Sequence, residues 1–278
     1  MRQEEGTKHA RAVRWAAGKA APGDEILVAE APLHIRLNGV AYTTTMRTPG
    51  DDEALARGLL FTEGIVPAAD APLTYRLVDD PETGLPACIE VNVLESFVAK
   101  SVEGRRTILA TASCGVCGTR TPEDIEVYGP SLEVRHDTRL DLRQIAELHQ
   151  KMQDAQVLFR ATGGCHAAAI FDVHGKALAI KEDVGRHNAV DKAVGMLVRS
   201  ARLHEAAILF VSGRVSYEIV YKAYRAGIPI LLAVSSASSL AVETADRLGL
   251  TLVAFCRGDR ATVYTHTERI VLSENVPS

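Results

Sequence analysis

Two thiols stand two residues apart in Thr111-Ala112-Ser113-Cys114-Gly115-Val116-Cys117-Gly118, each followed by a glycine. A cysteine reacts as its thiolate, which needs local positive potential and access to a partner. Flanking glycines let successive backbone N–H groups turn toward one point, a nest that holds an anionic sulfur or its reaction partner. This spacing suits three chemistries: half of a zinc site, a redox disulfide, or a sulfur-handling nucleophile.

A second set of reactive side chains lies in three polar loops of the C-terminal half: Glu182–Asn188, Ser212-Gly213-Arg214-Val215-Ser216, and Phe255-Cys256-Arg257-Gly258-Asp259-Arg260. Arg186, Arg214, Arg257 and Arg260 offer forked donors to phosphate or to a carbonyl edge. The alternative is that each arginine pairs with a loop carboxylate on the surface. Phe255 offers a face for a base, or a core side chain. His187 is read either as an acid–base or ligand-binding group or as the neighbour of Asn188, an expected helix N-cap. Cys88, Cys165 and Cys256 are expected to be small buried residues.

These loops need elements to hold them. Asn38-Gly39, between Leu33–Leu37 and Val40–Met46, predicts a hairpin. A helix is expected from about Glu53 to Thr62, strands at Leu73–Val78, Ile89–Val98 and Arg105–Leu109, and a helix from about Leu140 to Gln153. Strands and helices then alternate. Strands are expected at 167–172, 176–181, 207–211, 229–234 and 251–255, and helices at 188–202, 217–226 and 240–248. Unbroken apolar strands in such an alternation predict a largely parallel sheet covered on both faces. In such sheets ligands sit at the carboxyl ends of the strands, where the three loops fall. The expected organisation is an N-terminal arm (1–23), a mixed sheet domain ending in the cysteine loop (24–138) and an α/β domain (139–278).

Composition bounds the rest. The chain has 278 residues, 47% of them apolar and 5% aromatic, with a net charge of −4. No general nucleic-acid-binding surface is implied. The N-terminus lacks a signal peptide's apolar core, no run is long enough to span a bilayer, and five cysteines are odd in number. Reduced thiols in a cytoplasmic protein are therefore expected.

Ser113–Gly118, Thr162-Gly163-Gly164-Cys165-His166-Ala167-Ala168, the stretch Glu182–Lys192, Ser212-Gly213-Arg214 and Phe255-Cys256-Arg257-Gly258 occur in one order. Together they resemble the FdhD family of sulfur carriers required for formate dehydrogenase activity. The resemblance covers roughly residues 25–265, with Glu182–Lys192 its most specific element. It implies a cytidine-deaminase-like three-layer core and a homodimer. It also implies transfer of sulfur from a cysteine desulfurase to the bis-guanine-dinucleotide molybdenum cofactor as bound substrate, with GDP as a mimic, for delivery to formate dehydrogenase. The persulfide cysteine would be Cys114, with Cys117 assisting transfer, stabilising the persulfide or resolving it. Phe255–Arg260 would bind the cofactor, and Arg214 and His187 join them as candidates.

Two other enzyme-like readings fare worse on residues. A zinc deaminase needs His-x-Glu followed by Pro-Cys-x-x-Cys, but the one His-x-Glu here, His266-Thr267-Glu268, comes after the cysteine pair, and Ser113 precedes the pair. A thioredoxin-like pair belongs at a helix N-terminus, whereas Thr121-Pro122-Glu123 starts no long periodic helix. A zinc-stabilised binding module remains the alternative and requires two more ligands from Cys88, Cys165, Cys256 or histidines.

Overall fold

The computed structural model describes residues 6–99, 111–112, 131–132 and 138–271. Cys114, Cys117 and the strand expected at 105–109 lie outside the described residues.

The chain begins with β1 (Thr7–Ala16) and β2 (Lys19–Val28), paired antiparallel over their whole length as a separate two-stranded ribbon. An irregular arm was expected at 1–23. The ribbon escapes sequence reading because its turn uses Ala17-Gly18, with φ of 49° and 78°, instead of Asn-Gly, and its strands are rich in alanine and charge. Next come β3 (Ala31–Leu37) and β4 (Val40–Arg47), joined as expected at Asn38-Gly39, both left-handed. Then follow α1 (Asp52–Thr62), β5 (Thr74–Asp79), β6 (Pro86–Asn92) and the short β7 (Thr111–Ala112). The sheet order is β5-β6-β3-β4-β7, with β3–β6 and β4–β7 parallel. Leu33, Ile35, Ile89 and Val91 from this sheet pack on Leu55, Leu59 and Leu60 of α1.

After β8 (Leu140–Asp141) come α2 (Gln144–Ala155), α3 (Val157–Thr162), β9 (His166–Phe171), β10 (Ala177–Asp183), α4 (Arg186–Arg199) and β11 (Ile208–Val211). The chain continues through α5 (Tyr217–Arg225), β12 (Ile230–Ala233), α6 (Ser239–Arg247), β13 (Thr251–Arg257), β14 (Arg260–Val263) and β15 (Ile270–Val271). The helix expected from Leu140 starts later. Leu140-Asp141 pairs instead with β15, and the Asp141 carboxylate accepts from the Arg143 N–H.

The six-stranded sheet runs β10-β9-β11-β12-β13-β14. Only β11, β12 and β13 are parallel; the other pairings are antiparallel. The sheet is thus mixed where a largely parallel one was expected. Tight hairpins join β9 to β10 and β13 to β14, and such short connections cannot cross over to make parallel neighbours. Side chains alternate across it: Ile170, Leu209, Leu231 and Leu252 face α4, α5 and α6, while Ala169, Phe210, Leu232 and Val253 face α2. Both faces are covered, so the fold is α/β in three layers. Among the described residues no helix is long and apolar enough to cross a membrane.

The two sheets are tied through α1 and α4, which touch at main-chain distance. A β-carbon on Gly58 would stand 1.8 Å from Asp191 O, and one on Gly195 would stand 1.9 Å from Ala54 O. Neither position admits any side chain.

Candidate functional site

The carboxyl ends of β10 through β13 lie along one end of the sheet. Because β9 runs antiparallel, its first residue, His166, stands there too, opposite Asp183. The turns leaving β11, β12 and β13 are hydrogen-bonded in series. The Val234 N–H donates to Val211 O, Val215 N–H to Ser236 O, Ser238 N–H to Val215 O, and Phe255 N–H to Ser235 O. Two of the three loops read from the sequence, Ser212–Ser216 and Phe255–Arg257, are therefore brought together. The loop between them, Val234–Ser238, was not singled out. Its signal was available, since Ser-Ser-Ala-Ser follows a buried apolar strand, as the other loops do.

The third loop ends in α4. The helix starts at Arg186, with Gly185 in the cap position, so Asn188 is not the expected N-cap. It sits buried in the first turn, where its amide donates to Met46 O at 2.7 Å and to Asp183 Oδ1 at 3.1 Å, and accepts from Thr45 Oγ1 at 3.1 Å. Asp183 also receives the Thr48 N–H and pairs with Lys192 at 2.8 Å, both side chains buried. Lys192 donates in turn to Thr48 O at 2.7 Å. These groups lock the start of α4 onto the end of β4.

His187 and Arg186 face the other way. His187 Nε2 lies 3.1 Å from Glu218 Oε2 and 3.4 Å from Ser216 Oγ. Burial drives the imidazole pKa down to about 3, helped by Lys222, Arg186 and His166, so the ring is neutral near pH 7. His166 is also depressed, first by burial and then by Arg186. Burial pushes Glu218 above the usual carboxylate range, against the pull of Lys222 and Arg186. Arg186 Nε and Glu218 Oε1 are both buried without a hydrogen-bond partner among the described residues. Gly213 passes beneath this group, since a β-carbon there would meet His166 Nδ1 at 3.2 Å and Arg186 Cδ at 3.5 Å. Arg214 is exposed beside it. Sequence reading missed His166 and Glu218. The Ser216-x-Glu218 pair at a helix start was the signal for the latter.

At the end of β13 the register slips between Ala254 and Arg257, and Phe255 adopts φ 55°. A bulky residue in the left-handed region is a genuine outlier of the kind held at functional sites. The residue is 41% exposed. Arg257 donates through Nε to Val234 O at 2.9 Å. Gly258, Asp259 and Arg260 form the exposed turn into β14. Cys256 points into the core below, its thiol pushed up to about 11 by burial. Cys165 is bonded to Glu182 and raised to about 12, again chiefly by burial. Cys88 is half-buried, against the expectation of full burial, and its thiol is also raised. None of these three is a thiolate near pH 7. Among the described residues no group of three or more His, Cys, Asp or Glu is placed to hold a metal.

Fold and site together define an α/β protein whose sheet ends carry arginines, neutral imidazoles and an exposed aromatic face, with a smaller mixed sheet locked alongside. The chain belongs to the FdhD/NarQ family, whose model matches residues 28–271. It is 41% identical over 271 residues to a protein of Mycobacterium bovis named sulfur carrier protein FdhD, covering 95% of this chain and 98% of that one. It is 37% identical to the protein of that name in Saccharolobus solfataricus, covering 93% and 96%. The crystal structure of a candidate formate dehydrogenase accessory protein from Desulfotalea psychrophila superposes with a TM-score of 0.72 at 26% identity, covering 95% of this chain and 99% of that one.

Proposed function

We propose that this protein is a cytoplasmic sulfur carrier that serves formate dehydrogenase. It takes sulfane sulfur from a cysteine desulfurase onto Cys114 and passes it to the bis-guanine-dinucleotide molybdenum cofactor, bound as substrate. In the loading step the Cys114 thiolate attacks the outer sulfur of the donor's persulfide. A new S–S bond forms at Cys114, the donor's S–S bond breaks, and the donor cysteine leaves as thiolate, with no net oxidation. Cys117 then assists transfer, stabilises the persulfide or resolves it.

The observation that carries this reading is the position of β7. It ends at Ala112, paired with Thr45, whose hydroxyl bonds Asn188 beside His187. β7 thus ends one paired residue away from the start of α4, the helix that carries Arg186 and His187. Cys114 follows two residues later in the sequence. The three described cysteines are held as inert thiols, which leaves Cys114 and Cys117 for the chemistry. For the substrate, Phe255 offers a face to guanine, and Arg257, Arg260 and Arg214 offer charged donors to phosphate or carbonyl oxygens. GDP alone is then expected to bind, and two equivalent guanine heads suit a homodimer.

The test is mass spectrometry of tryptic peptides after incubation with a desulfurase and cysteine. The peptide holding Cys114 should gain the mass of one sulfur, and Cys114→Ala should gain none. Sulfur found on Cys165 or Cys256, or stoichiometric zinc in the purified protein lost with Cys114→Ala, would overturn the reading.

A further inference from the structure

Among the described residues the β1–β2 ribbon meets the body chiefly through α3, against which β2 lies. Its base is fixed: Ala29 donates to Gly6 O, Gly6 packs on Leu158 and Thr48, and Gly164 lies against Val28. From there two ten-residue strands run out about 34 Å at the usual rise per residue. On one face Trp15 stands opposite Ala20, Val13 opposite Pro22 and His9 opposite Ile26, with the charged pair Arg11 and Asp24 between the last two. Trp15, the only tryptophan in the chain, is 75% exposed, and Val13 is 70% exposed. A two-stranded ribbon is marginal in water without something against its apolar face.

A second apolar patch is exposed on the body. Pro49, Leu77, Leu85 and Pro86 line an open cleft of about 260 Å³ together with Gly50, Asp51, Asp52, Glu53 and Arg199. Leu77 lies on β5, an edge strand of its sheet, and is 41% exposed. This cleft begins one residue after Thr48, against which the ribbon's base packs.

We propose that the ribbon is an arm that clasps a second copy of this chain, with Trp15 seated in that copy's Leu77–Leu85 cleft. The proposal rests on the homodimer of the reading above and supplies its contact. Three features select a second copy. Ribbon base and cleft are adjacent, so two ribbons lying antiparallel about a dyad bring each tip to the other copy's cleft, a self-complementary arrangement. The ribbon carries four cations, Lys8, Arg11, Arg14 and Lys19, against Asp24 and Glu25, whereas the whole chain is −4, leaving −6 on the remainder. One ribbon face covers roughly 340 Å², from its length and a width of about 10 Å. Given and received twice, that is about 1,400 Å² in all, within the range of stable interfaces.

The single tryptophan is the probe. In sedimentation velocity combined with fluorescence, the wild type should be a dimer with a blue-shifted indole emission that moves red as dilution dissociates it. Trp15→Ala and Leu77→Arg should each raise the dimer dissociation constant at least tenfold, with unchanged circular dichroism because both residues are exposed. A dimer that retains the emission of a water-exposed indole would overturn the proposal, as would undiminished dimerisation in both variants. So would a wild-type monomer, or a buried indole in a monomeric population. Sulfur loading of Cys114, read by peptide mass, should persist in Trp15→Ala. Loss of loading in the wild type would sink the carrier reading and leave the clasp to be judged by sedimentation alone.

Discussion

The stretch Glu182–Lys192 contains two regions of opposite character within three turns of chain. Asp183, Asn188 and Lys192 form a closed set: each is buried, each meets a group of opposite kind, and together they hold Met46 and Thr48 of the smaller sheet. Arg186 and His187, between them in sequence, form an open set that leaves Arg186 Nε and Glu218 Oε1 without partners among the described residues and His187 stripped of its proton. Closed networks specify a packing; open ones are where a protein keeps polar groups unsatisfied for a purpose. Half of the most specific motif in the chain thus reports architecture, and only the other half reports chemistry.

The contrast can be broken most forcefully at Lys192. Lys192→Met strands the Asp183 carboxylate in the interior and should cost about 3–5 kcal/mol of stability. Arg186→Met should stay within about 1 kcal/mol, because Nε makes no hydrogen bond among the described residues. Urea midpoints of the two variants check this, and equal costs would erase the distinction.

A smaller effect is expected in acid. His187 titrates near 6.5 unfolded and at about 3 in place. Between those values the unfolded chain binds more protons, so stability falls as pH falls, by up to about 1.4 kcal/mol per pH unit. His166 adds to this in the same direction. Glu218, raised in the fold, has the opposite sign: its contribution is lost as pH rises above the unfolded value of 4.5. His187→Gln should flatten the acid limb between pH 6.5 and 3 in urea titrations at stepped pH, and an unaltered limb would mean that the ring protonates freely in the fold.

The smallest effect sharpens the site. Arg257→Ala should weaken GDP binding by about 1–3 kcal/mol in calorimetry. Cys114→Ala should leave that affinity almost unchanged, since groups without shared partners act independently. The reverse pattern would move the nucleotide site into the cysteine loop.

Much of this was legible in the sequence. Asn38-Gly39 announced its hairpin, and unbroken apolar runs announced the buried strands β11, β12 and β13. The loops after β11 and β13 were found because polar residues following an apolar strand have a fixed place in such sheets, while the one after β12 was passed over. Strand direction was misread at β9 and β10, although the short connection between the strands expected at 167–172 and 176–181 already required an antiparallel pair. The ribbon was missed because alanine and charge hide its alternation. Glu218 was missed for a different reason: a carboxylate in the first turn of a helix ordinarily complements the helix dipole in solvent. Only the structure turns its side chain inward against His187.

The crossing of α1 over α4 has a consequence for how the molecule can work. A joint whose contact is hydrogen against carbonyl oxygen, at Gly58 and Gly195, has no side chains to swap rotamers and no slack in which to slide. Two bodies hinged on leucines can rock; two bodies keyed backbone to backbone behave as one casting. The distance from Ala112 to the arginines is then set by the joint, like a workpiece held in a vice. Whatever travel sulfur delivery requires has to come from parts of the chain other than these two helices.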